Sequence, residues 1–108
     1  MKNLFLTRHA KSSWDNPGLA DVDRPLNGRG KKAAPFMGKL IMDKGDKPDL
    51  LISSPANRAL STAKAFGKAM GLVEADINVD HTIYGAGTQQ LLKLVQDQDE
   101  LYNSIMLF

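Results

Sequence analysis

The chain has 108 residues, so one domain with its own core is expected over residues 1–108. Fourteen Lys and Arg against twelve Asp and Glu leave a formal charge of +2, too balanced for the clustered basic face that nucleic acid demands. Apolar runs are short and cysteine is absent, so no membrane span, secretory leader, disulfide or thiolate ligand is expected, which fits a cytoplasmic protein.

Lys2 to Thr7 is read as the first strand, with Leu4, Phe5 and Leu6 as its apolar run. Ala10 to Gly18 is a polar loop, and Asp21 to Leu26 a polar connection. Asn27 suits the N-cap of a helix carrying Ala33, Phe36, Met37, Leu40 and Ile41 on one face. Pro35 conflicts with an unbroken helix, so a kink is expected, or a start between Lys31 and Pro35. Gly45 to Pro48 forms a turn, and Asp49 to Ser53 a second strand.

Ser54 as N-cap and Pro55 at the first helical position open a second helix, whose apolar face is Ala59, Ala63, Phe66 and Met70. Gly71 can close it. A third strand is expected within Ile77 to Tyr84, where apolar and polar residues alternate. Gly85 to Gly87 turns the chain into a helix capped by Thr88, with Leu91, Leu92, Leu94 and Val95 inward. Ser104 to Phe108 reads as a buried strand. Alternating strands and helices are the pattern of an α/β sheet.

Ligands of open α/β sheets bind at the carboxyl ends of the strands. Arg8 and His9 stand where the first strand runs out, and a turn of the backbone there can bring both to one pocket. A strand-flanking salt bridge beside a surface histidine is the plainer alternative. Arg58 lies near the start of the second helix, where free amides favour an anion. A cation there costs a few tenths of a kcal/mol or more, roughly, unless an anion or a carboxylate offsets it. It is either a surface arginine paired with an acid or, with Arg8 and His9, part of a clamp for a phosphoryl dianion. Lys11, Arg29, Lys31 and Lys32 read as a solvated basic face, and Trp14 as packing over a sheet edge. His9 and His81 lack metal-ligand spacing.

Three segments carry a resemblance: Leu6-Thr7-Arg8-His9-Ala10, Asp23-Arg24-Pro25-Leu26-Asn27-Gly28-Arg29-Gly30, and Ser53-Ser54-Pro55-Ala56-Asn57-Arg58-Ala59-Leu60-Ser61-Thr62-Ala63. Together they resemble the histidine phosphatase superfamily, the phosphoglycerate-mutase-like fold, and most closely its SixA-type phosphohistidine phosphatases. Tyr84 after the third strand is a further mark of that subgroup. The resemblance implies a three-layer α/β/α domain around a mostly parallel central sheet. It implies that His9 is the nucleophile, attacking phosphorus through one neutral ring nitrogen while the other holds its proton against a backbone carbonyl. Arg8 and Arg58 would bind the phosphoryl oxygens, with Ser12 and Tyr84 as further substrate-binding residues, and no metal or cofactor is required.

Two departures shape the expected function. The family pattern includes a second pocket histidine in a Gly-His pair after a later strand, and this sequence has none; His81 is read as structural or surface. That pair would follow Ser104 to Phe108, so the C-terminal part of the domain is expected to be missing and an exposed sheet to permit self-association. Larger branches also place a glutamate in the region of Tyr84 to Gln89, where no carboxylate occurs here. A phosphorylated imidazole leaves without strong acid help, so the substrate is expected to be phosphohistidine in a phosphotransfer or signalling protein. Asp15, Asp21 and Asp23 are the carboxylates near enough in sequence to substitute. The alternatives are a phosphomonoesterase or mutase acting on a small phosphomonoester, and a phosphate-binding module without turnover.

Overall fold

Strands that alternate with helices must be joined by crossovers, and the sheet is parallel throughout. The computed structural model describes residues 3–108. Its strands are β1 (Asn3–Leu6), β2 (Leu50–Ser53), β3 (Ile77–Val79) and β4 (Ser104–Leu107), in the order β1-β4-β2-β3. The helices are α1 (Gly28–Asp43), α2 (Asn57–Ala69) and α3 (Thr88–Gln96). Lys2, expected in the first strand, lies outside the described residues.

The two inner strands are apolar on both faces, as a covered parallel sheet requires. Leu51 and Met106 face α1 and α2, where they pack with Ala59, Ala63, Phe66 and Met70. Leu50, Ile52, Ile105 and Leu107 face α3 and meet Val95, Leu91 and Leu94. The result is a three-layer α/β/α arrangement. Each fully buried Leu, Ile or Met side chain contributes roughly 1.5–3 kcal/mol. Pairing continues past the strand ends: the Thr7 amide donates to the Leu107 carbonyl at 2.9 Å, and the Ser54 amide to the Phe108 carbonyl at 3.0 Å. The loop after β1 and the start of α2 therefore leave the sheet side by side.

Several boundaries differ from expectation, each for a local reason. Helix α1 runs unbroken through Pro35. Lys31 and Pro35 are both exposed, so water can satisfy the Lys31 carbonyl that lacks an amide donor. Asn27 caps this helix as expected, accepting from the Gly30 amide at 2.8 Å. The buried face is Gly30, Ala34 and Gly38, and Phe36 is 67% exposed. Small residues at this spacing let α1 approach α2 closely; a Cβ on Gly38 would lie 2.9 Å from the Phe66 Cα.

Helix α2 begins at Asn57, and Ser54 instead accepts from the Ala56 amide at 3.0 Å in the preceding turn. Strand β3 ends at Val79 because the Asp80 carboxylate accepts from the Thr82 amide and hydroxyl at 2.9 and 2.6 Å. Those bonds wind His81–Ile83 into a 3-10 turn, and His81 is exposed there. Thr88 opens α3 while Gly87 caps it, and Leu92 faces solvent. On β1, Phe5 packs on the core while Leu4 and Leu6 point to the other face, where Leu6 is 73% exposed.

Candidate active site

The loop after β1 is held from several directions. The Ala10 amide donates to the Thr62 hydroxyl at 3.0 Å, which in turn donates to the Arg58 carbonyl at 2.7 Å, a bond within α2. The Lys11 carbonyl accepts from the Asn27 amide at 2.9 Å, and the Ser13 amide donates to the Pro25 carbonyl at 2.8 Å. Ser12 and Leu26 form an antiparallel bridge. Gly30 of α1 lies so close that a Cβ there would overlap the Lys11 carbonyl oxygen.

This anchoring fixes His9, which is half-buried. Its Nδ1 is 2.7 Å from the Ala10 carbonyl oxygen. A carbonyl only accepts, so Nδ1 carries the hydrogen and the neutral ring keeps its lone pair on Nε2. A cleft of about 620 Å³ opens beside it, lined by Arg8, His9, Ser12 and Arg58 together with Lys11, Trp14, Arg24 and Arg29. No carboxylate lines this cleft among the described residues. Lys11 and Arg29, read from sequence as a solvated face, belong to its wall. Tyr84 stands outside the lining and reaches the cleft indirectly, through Asp21.

Asp21 joins these parts. Its carboxylate accepts from the Tyr84 hydroxyl at 2.6 Å, from Arg58 Nη2 at 3.0 Å and from Arg24 Nη1 at 3.2 Å. Its backbone carbonyl accepts from Arg58 Nη1 at 2.7 Å. Arg58 is thus paired with an acid, which offsets its unfavourable place at the α2 N-terminus, and it also lines the cleft. Arg24, only 8% exposed, donates through Nε to the Ser13 carbonyl at 3.1 Å and through Nη2 to the Ser12 hydroxyl at 2.7 Å. Its guanidinium also covers one face of Trp14, 3.2 Å from the ring centroid. Trp14 is therefore placed by an arginine and the cleft wall, not by a sheet edge.

The hydrogen bond from Tyr84, then that from Arg58, lower the Asp21 pKa to about 2 from 3.8. The same Asp21 contact raises the Tyr84 pKa. Asp21 is consequently ionised at neutral pH and has no proton to give as a general acid. Asp15 and Asp23 are exposed and do not line the cleft. Because the folded-state pKa of Asp21 is depressed, its stabilisation is present above the unfolded value and is lost as pH falls through the folded one. The difference in thermal stability between the chain and its Asp21→Asn variant should be constant above about pH 5 and shrink between about pH 4 and pH 2. Paired melting curves across that range check this.

Arg24, Thr62 and the bridging role of Asp21 were missed by sequence reasoning. Arg24 and Thr62 lie within motif segments, so a signal was there, but their partners come from other segments. No group of three or more His, Asp or Glu side chains that could share a metal ion occurs among the described residues. None of their helices is long and apolar enough to cross a membrane.

The family model of the histidine phosphatase superfamily (branch 1) matches residues 4–84. A chloroplastic protein of Arabidopsis thaliana is 36% identical over 84 residues, covering 77% of this chain and 38% of that protein. A 2,3-bisphosphoglycerate-dependent phosphoglycerate mutase of Thermobifida fusca is 33% identical over 92 residues, covering 80% of this chain and 37% of the mutase. Among solved structures, an Agrobacterium tumefaciens protein assigned as the phosphohistidine phosphatase SixA superposes with a TM-score of 0.88 at 35% identity. That match covers 99% of this chain and 68% of its own. The chain thus spans well under half the length of these two relatives.

Proposed function

The chain belongs to the histidine phosphatase superfamily, and from that premise we propose that it is a phosphatase with His9 as nucleophile, acting on phosphohistidine of a phosphotransfer or signalling protein. The observation that carries this reading is the His9 ring, with Nδ1–H bonded to the Ala10 carbonyl and Arg8 and Arg58 lining the same cleft. Nε2 would attack phosphorus, forming a P–N bond as the bond to the leaving imidazole breaks. The leaving nitrogen takes a proton from water. Water then attacks the phosphohistidine, releasing inorganic phosphate and restoring the neutral ring. Arg8 and Arg58 would hold the phosphoryl oxygens, with Ser12 beside them and Tyr84 behind Arg58. A cleft wall without a carboxylate among the described residues suits a leaving group that needs little acid assistance.

A second reading, a small-molecule phosphomonoesterase or mutase, is favoured by the Thermobifida fusca relative. The deciding experiment incubates the chain briefly with a labelled phosphodonor and then treats it with acid and with base. An acid-labile, base-stable label that transfers from a phosphohistidine protein supports the first reading. Turnover of sugar phosphates but not of phosphohistidine supports the second. Saturable phosphate binding without any label would mean a binding module and overturn both.

The outer edge of β1 and the exposed Leu6 also support self-association of this chain. Elution is expected to depend on concentration, and Leu6→Lys is expected to shift it towards the monomer. Unchanged elution of a monomer at all concentrations would refute this.

A further inference from the structure

We propose that Asp21 is a positioning residue that holds the Arg58 guanidinium in the orientation required to bind a phosphoryl group, an inference that rests on the function proposed above. Arg58 commits one hydrogen of each terminal nitrogen to Asp21, one to the backbone carbonyl and one to Oδ2. A further guanidinium hydrogen lies against the Tyr84 hydroxyl, and the donors that neither Asp21 nor Tyr84 takes are those that would meet an oxyanion. Asp21 is itself restrained, because Arg24, three residues along the chain, and Tyr84, from a distant segment, bind the same carboxylate. A carboxylate so restrained is a fixed support and not a latch that swings aside for the ligand. A backbone carbonyl on the other Arg58 nitrogen strengthens that distinction, since an incoming anion cannot displace it without moving the loop. Asp21 does not line the cleft, so it acts through Arg58 and not on the substrate. Ordering the guanidinium beforehand removes an entropy loss that binding would otherwise incur.

The test compares the chain with Asp21→Asn, Arg58→Ala and the double variant, using inorganic phosphate as the probe. Asp21→Asn keeps the shape of the side chain but removes the charge that gathers the donors. Phosphate should bind about tenfold more weakly to Asp21→Asn, and Asp21→Asn should have no further effect in the Arg58→Ala background. In parallel, the Arg58 Nε–H order parameter should fall below about 0.6 in Asp21→Asn without ligand. Tyr84→Phe, which removes one hydroxyl and spares the ion pairs, should weaken phosphate binding by about threefold. Tighter binding in Asp21→Asn would show that Asp21 competes with phosphate and would overturn the proposal. So would an equal loss with and without Arg58, or an unchanged order parameter. If Arg58 loses order in the variant but the parent chain binds no phosphate, the clamp reading of the site fails while the support of Arg58 by Asp21 stands.

Discussion

His9→Ala is expected to abolish the acid-labile phosphoryl label and to lower phosphate release by about 10⁴-fold or more, the scale seen when a nucleophile is removed. The loss should be confined to chemistry. The hydrogen bond from Nδ1 goes to the adjacent Ala10 carbonyl, so truncation breaks no long-range tie. The Ala10 amide keeps its bond to Thr62, and the loop stays anchored by Lys11 and Ser13. Stability should therefore change by no more than about 1 kcal/mol. Phosphate should still bind, because Arg8 and Arg58 remain in the cleft wall. His81→Ala is the control: the residue is exposed in a 3-10 turn, and its removal should leave the label intact. A label that survives in His9→Ala would place the nucleophile elsewhere. Quenched-flow labelling of the purified variants decides between these outcomes.

Gly30→Ala should damage both fold and site, although alanine is the better helix former. The added Cβ would overlap the Lys11 carbonyl oxygen and lie 3.0 Å from the Lys11 amide nitrogen. These are backbone atoms and cannot rotate away. Lys11 is moreover tied to Asn27, and the Gly30 amide is the donor that Asn27 caps, so neither side can give without breaking a bond. Overpacking of this kind costs about 1–3 kcal/mol, and here the strain falls on the segment that carries His9 and Ser12. Loss of phosphate binding together with the lower urea midpoint is expected. Gly28→Ala, with nothing within 4 Å of its added Cβ, should be neutral or slightly stabilising. Equal behaviour of the two variants would contradict the close contact.

Helix α1 shows how far local pattern reaches. The Asn27 cap was legible because capping needs only a side-chain oxygen three residues from an orphan amide. The buried face was not, because large apolar residues at helical spacing suggested Phe36 and Met37, whereas the helix packs through Gly30, Ala34 and Gly38. Interhelical distance decides which face is buried, and no single helix encodes it. The third strand lies within its expected span but stops short for a different reason: the alternation extends to Tyr84, but the Asp80 side chain captures the Thr82 amide and hydroxyl and ends the strand at Val79.

The site divides in the same way. Arg8, His9 and Arg58 were legible as residues at strand ends beside loops, since apolar runs mark where strands stop and parallel sheets gather those stops on one side. That much the sequence determined by itself: an α/β order, the spans of the first, second and fourth strands to within a residue or so, and which side chains leave the sheet together. Only the tertiary structure decided how they are held. The Ala10 amide meets Thr62 across a separation of 52 residues, and Tyr84 meets Asp21 across 63. Arg24 is buried because four groups from two short segments, Ser12, Ser13 and Trp14 on one and Asp21 on the other, converge on it. Such contacts depend on where distant backbones come to rest. Local periodicity and capping act within a few residues and carry no record of that distance.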